Sequence, residues 1–135
     1  MAQAKRKAQP KPQEVVISYA ARSSFEPGLR AYMEYRDLGM KEGTRGLVQA
    51  HVLRAAQPCP QGGTGWHLHD TDFQMIFVHK GSITTELEGK GVLTFTSGDC
   101  WSQPPRIRHR VLDFSSDFEA LEIISPAEFA TADAE

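Results

Sequence analysis

The stretch HLHDTDFQMIFVHKG, His67 to Gly81, decides how this chain is read. It opens on two histidines at i and i+2. Residues two apart in an extended strand point to the same face, so His67 and His69 can reach one ion together, and imidazole is the commonest transition-metal ligand. Past the turn-like Asp-Thr-Asp, Gln74 begins a run on which Ile76 and Val78 share its face. A polar amide heading an otherwise apolar inward face calls for a partner, and a third and fourth donor to an ion must come from neighbouring strands. His79 has the opposite parity and is expected to point away. A second stretch, GDCWSQPPRIRH from Gly98 to His109, ends in a further histidine that opens a strand after a proline-marked turn.

Working outward, apolar residues recur with period two in short runs bounded by Gly, Pro, Asp or Ser, the pattern of half-buried strands. Strands are expected over 29–36, 47–54, 66–69, 74–79, 83–87, 91–95, 100–103, 109–114 and 118–124. The segment AQPCPQGGTG is too densely punctuated for a ladder and reads as a loop. About nine short strands, with no helix long enough to cross between them, imply an all-β, antiparallel double-sheet barrel of the jelly-roll kind, with the 29–36 strand as an N-terminal extension. Residues 1–13 read as a disordered basic tail, because Lys5, Arg6, Lys7 and Lys11 stand among Ala, Gln and Pro with almost nothing apolar. The domain then spans 14–126, and 127–135 reads as a frayed acidic end.

The chain has 135 residues, 40% hydrophobic and 24% charged, which suits one soluble globular domain. A net charge of −2, without a basic face interleaved with aromatics, argues against nucleic acid as a partner. No apolar run approaches the roughly 18 residues needed to cross a bilayer, and no secretory leader is visible, so the expected location is the cytoplasm. Cys59 and Cys100 form no CxxC pair and suggest neither a disulfide framework nor a thiolate metal site.

The spacings of the two stretches (HxH, four residues, Gln74, six residues, Gly81; then Gly98, five residues, Pro104, four residues, His109) resemble the two signature motifs of the cupin family. The resemblance covers roughly Leu47 to Ile124. It implies a cupin barrel binding one divalent transition metal ion, Mn, Fe, Ni or Zn, through His67, His69, Gln74 and His109. There are three departures: the leading Gly of the first motif is displaced to Gly62, Arg106 stands where the second motif has Gly, and Gln74 replaces a Glu. Exchanging a carboxylate ligand for an amide raises the formal charge of a divalent site by one and makes the ion a stronger Lewis acid. It also removes a possible base. A carboxylate restored at position 74 is expected to hold the ion more tightly.

The resemblance implies an enzyme acting on a small oxygenated organic molecule. Dioxygenase-like chemistry leads; a Lewis-acid isomerase or lyase on an anionic hydroxy-ketone, and a non-catalytic sensor or storage protein, stand beside it. Arg106 and Arg108, crowding the turn before His109, are candidates to meet an anionic substrate, and Tyr35 and Trp101 to wall the pocket. His51 lies on an earlier strand, and its spacing assigns it no role. No catalytic residue can be singled out. The edge offered by the 29–36 strand points to a homodimer.

Overall fold

The computed structural model describes residues 12–28 and 30–134; the basic tail up to Lys11, and Leu29, lie outside the described residues. Two antiparallel sheets face each other. One runs in the order β1 (Glu26–Pro27), β2 (Met33–Asp37), β3 (Gln49–Ala55), β10 (Glu119–Ser125), β5 (Phe73–Lys80), β8 (Cys100–Ser102), and the other β11 (Thr131–Asp133), β4 (His67–His69), β9 (His109–Phe114), β6 (Ser82–Leu87), β7 (Gly91–Thr96). The fold is the all-β, double-sheet jelly roll that the strand pattern predicts.

Alternation explains most of the packing. Along β5, Gln74, Ile76 and Val78 turn inward and are buried, while Phe73, Phe77 and His79 are exposed. The core between the sheets is Met33, Ile76, Val78, Ile83, Phe114, Phe118 and Ala120. One strand breaks alternation. Counting by twos from His109 would send Asp113 inward, but the ladder pairs Thr85 with Val111 and Thr84 with Asp113, leaving Leu112 as an extra residue. This bulge flips the parity, so Phe114 is buried in the core and Asp113 faces solvent. The loop before β4 is sewn to the bulge: Thr64 N–H donates to the Val111 carbonyl at 2.7 Å and Thr64 Oγ1 accepts from Val111 N–H at 2.9 Å. Gly63 must be glycine there, with φ +77 and a Cβ position 2.2 Å from the Val111 carbonyl oxygen.

The structure differs from expectation at the two ends and in one connection. The N-terminal strand begins at Met33, because Met33 N–H bonds back to the Arg30 carbonyl in a turn, and its outer edge is taken by β1. A short helix, α1 (Met40–Gly43), fills the following connection. At the other end the acidic tail is not frayed. Residues 131–133 pair with 67–69 as β11, which supplies ladder partners to an otherwise open edge of β4, and Ala127 and Ala134 are buried. The composition of ATADAE misleads because the segment is held chiefly by backbone pairing to β4, which composition does not record. Among the described residues no helix is long and apolar enough to cross a membrane, and both cysteines are free thiols.

Phe118 is 1% exposed whereas Val92 is 58% exposed. Urea unfolding is expected to show a loss of about 3–5 kcal/mol for Phe118→Ala and a change within about 0.5 kcal/mol for Val92→Ala.

Candidate metal centre

His67 and His109 are direct cross-strand partners on β4 and β9, and His69 stands two residues along β4 on the same face. The imidazoles of His67, His69 and His109 converge, each offering one ligand atom within 4.8 Å of the others. In every ring Nδ1 is already engaged behind the cluster: His67 Nδ1–H donates to the Gly65 carbonyl at 2.9 Å, His109 Nδ1–H donates to the Ile107 carbonyl at 3.0 Å, and His69 Nδ1 shares a hydrogen bond with the Thr131 hydroxyl at 2.8 Å. The carbonyl partners fix the tautomers of His67 and His109 with the lone pair on Nε2, and the Thr131 hydroxyl, able to accept from His69 Nδ1, suits the same tautomer there. Burial pushes the His109 pKa down to about 4 and, with the neighbouring His67, lowers that of His69. Neutral imidazole is the form that ligates a metal, so this donor set fits a transition ion.

Gln74 is 4% exposed and reaches the cluster from the opposite sheet. Its Oε1 accepts from Gln103 Nε2 at 3.2 Å, and the same Gln103 nitrogen lies 3.3 Å from His109 Nε2. Gln74 Nε2 donates in the other direction, to Glu122 Oε2 at 2.9 Å. Glu122 in turn accepts at Oε1 from His51 Nε2, 2.6 Å away. Burial by itself would raise the Glu122 pKa; the His51 hydrogen bond and charge, helped by the Gln74 amide, outweigh it and hold the carboxyl below its ordinary value.

These groups open onto a cavity of about 500 Å3, walled mainly by apolar side chains, with His51, Gln74, Gln103, Glu122 and the three histidines among its polar lining. Tyr35 and Trp101 line it as well. Arg106 and Arg108 do not line it: Arg106 pairs with Asp70 at 3.4 Å on the surface, and Arg108 lies over the Trp66 ring. The turn carrying them bends away from the cavity as it bonds back to β4, Arg106 N–H donating to the His69 carbonyl. The cation at the cavity is Arg30, whose Nη1 donates to the Tyr32 hydroxyl at 2.9 Å. His79 faces outward and pairs with Glu119, as its parity predicts. Sequence reading missed Arg30, Gln103, Glu122 and Thr131, and left His51 without a role. Only the inward parity of Glu122 on an apolar strand was a signal available beforehand.

The sequence profile of the cupin domain matches residues 59–124, and no curated protein matches the chain by sequence. The fold is that of the cupins. Among solved structures, the KdgF protein of a Halomonas species aligns with TM-score 0.64 and 18% identity over 82% of this chain and 94% of its own. The polyketide cyclase RemF of Streptomyces resistomycificus aligns with TM-score 0.68 and 16% identity over 90% and 86%. An RmlC-like cupin from Shewanella frigidimarina aligns with TM-score 0.63 and 18% identity over 87% and 96%. Likeness at these identities concerns the fold.

Thr131→Val keeps the shape of β11 but removes the acceptor behind His69. Chelator competition is expected to show about 10- to 100-fold weaker binding of Zn2+. His67→Ala, His69→Ala and His109→Ala should each lose most bound metal by elemental analysis, while His79→Ala keeps it.

Proposed function

We propose that this chain is a metal-dependent cupin enzyme acting on a small oxygenated organic molecule, with His67, His69, His109 and Gln74 holding one divalent transition ion. The observation that carries this reading is the convergence of three Nε2 lone pairs, each ring tied from behind, on a largely apolar cavity. The ion, when bound, supplies Lewis acidity to a carbonyl or hydroxyl oxygen of the substrate.

Between the dioxygenase-like and the isomerase or lyase reading, the His51–Glu122 pair favours the second. His51 Nε2 donates to Glu122, so the neutral form of the ring would carry its lone pair on Nδ1, and the residue lines the cavity. A carboxylate that orients an imidazole is the arrangement of a general base, and Glu122 fixes both the tautomer and the ring plane. Tyr35 packs edge-on against the same ring, with centroids 5.0 Å apart, and limits its rotation. Arg30 supplies a cation suited to a substrate carboxylate. The residues therefore fit removal of a proton next to a carbonyl in an anionic hydroxy-ketone, a step that needs no oxidant.

The test is hydrogen exchange. Small hydroxy-keto acids incubated anaerobically in D2O with metal-loaded protein should gain deuterium at the carbon next to the carbonyl, followed by NMR. His51→Gln should slow this about 10^2- to 10^4-fold with metal content unchanged. Oxygen uptake by iron-loaded protein, without anaerobic exchange, would instead establish the dioxygenase reading.

The working unit is proposed to be a homodimer. Val15 and Ile17, 90% and 69% exposed, and Phe73 and Phe77 on the outer face of the larger sheet are apolar surface that a second copy would cover. Light scattering should give the mass of two chains; the mass of one would refute it.

A further inference from the structure

An amide stands at position 74, and a carboxylate lies one hydrogen bond behind it. On adjacent strands β5 and β10, Gln74 pairs with Ile124 and Ile76 with Glu122, so Gln74 and Glu122 are diagonal neighbours on one inward face. Their side chains meet at 2.9 Å. We propose that Glu122 is the anionic member of the metal site, displaced one layer outward, and that position 74 is an amide because Glu122 faces it. This rests on the metal-site reading above.

The polarity of the contact chain supports it. An ionised carboxylate can only accept hydrogen bonds, so it selects the Gln74 orientation with Nε2 toward Glu122 and Oε1 toward Gln103. The second amide is fixed independently. Trp101 Nε1–H can only donate, and it donates to Gln103 Oε1 at 3.0 Å, which turns Gln103 Nε2 toward Gln74 Oε1 and His109 Nε2. Both amides are thus oriented by a partner with a single hydrogen-bonding role, and each orientation agrees with the other. The Gln74 oxygen is left on the side of Gln103, whose Nε2 lies 3.3 Å from His109 Nε2.

Charge argues the same way. Glutamate at 74 would set two carboxylates against each other at hydrogen-bond range, a contact with no donor in it, whereas the amide donates to Glu122. The extra negative charge expected to tighten binding in Gln74→Glu is therefore already present on Glu122, and adding a second is unproductive. Glu122 acts as a positioning residue: it sets the Gln74 oxygen and supplies field to the ion without touching it.

The experiment is a double-mutant cycle in Zn2+ affinity, by chelator competition at constant pH, on wild type, Glu122→Gln, Gln74→Glu and the swap Gln74→Glu with Glu122→Gln. The expected result is about 10- to 100-fold weaker binding for Glu122→Gln, no gain for Gln74→Glu, and recovery of at least wild-type affinity in the swap. The coupling is diagnostic: with a merely structural Glu122, Gln74→Glu would change affinity by the same factor whether or not Glu122 is present. Additive effects, with Gln74→Glu tightening binding equally in the presence and absence of Glu122, would overturn the proposal and leave the metal site standing. Wild-type protein that binds no Zn2+, or binds it as well after His67→Ala, would overturn the metal site and this inference together. If a single variant is too unstable to titrate, metal-free melting temperatures decide: recovery in the swap supports coupling, and summed losses refute it.

Discussion

Three imidazoles can meet inside an apolar barrel only if each places its N–H on an acceptor outside the cluster. Two of the acceptors here are backbone carbonyls two residues before the ring, Gly65 for His67 and Ile107 for His109. The third is a hydroxyl 62 residues away, Thr131 on the last strand. Local chain geometry therefore orients two rings and the closing strand orients the third. Without these bonds the rings would lose their anchors and be free to turn away from one another. Burial then keeps His109 neutral, its pKa pushed down to about 4. The anchoring bonds and the low basicity work together to present lone pairs instead of protons.

The polar groups behind the cluster form one directional chain from Trp101 through Gln103 and Gln74 to Glu122 and His51. A buried polar chain is favourable only when every member has a partner of the right kind. Here a donor-only indole stands at one end and a carboxylate held by two donors near the other. The chain lies along the wall formed by β3, β10, β5 and β8, while the histidines belong to the facing sheet. The Gln103 amide, at hydrogen-bond distance from His109, is where the two sheets are joined by polar contact. Met33, Ile76, Ile83 and Phe118 give the same cavity its apolar lining, so polar groups from both sheets face a largely apolar space.

The backbone accommodates the site by local strain as well. Arg106 stands where the cupin second motif has glycine, and it adopts φ 60, the left-handed region that glycine enters freely. An arginine held there costs on the order of 1 kcal/mol. The turn keeps that shape because Arg106 N–H reaches the His69 carbonyl and Ile107 N–H the Pro104 carbonyl. The same turn delivers the Ile107 carbonyl to His109 Nδ1. Its side chain, aimed outward at Asp70, contributes nothing to the cavity.

The fold was legible because strands announce themselves by period two. The runs around Gln74–His79, Ile83–Leu87 and His109–Phe114 came out within a residue or two of β5, β6 and β9. The convergence of His67, His69 and His109 was legible too, because i, i+2 parity and motif spacing are properties of the chain itself. What sequence could not show depends on register between strands distant in the chain. Glu122 reads as one charged residue on an apolar strand until β10 is laid beside β5 and β3, which places it between Gln74 and His51. Arg106 and Arg108 stand out in the sequence because they are close to His109 along the chain, whereas Arg30, distant along the chain, is the one that lines the cavity. The frayed reading of the last residues failed for a related reason: β11 is held by ladder bonds to β4, and backbone pairing leaves no mark in composition. Sequence thus determined which side chains face inward wherever alternation runs unbroken; the tertiary structure alone decided the bulge that buries Phe114 and which inward side chains meet, because cross-strand register is set by the packing of the whole barrel.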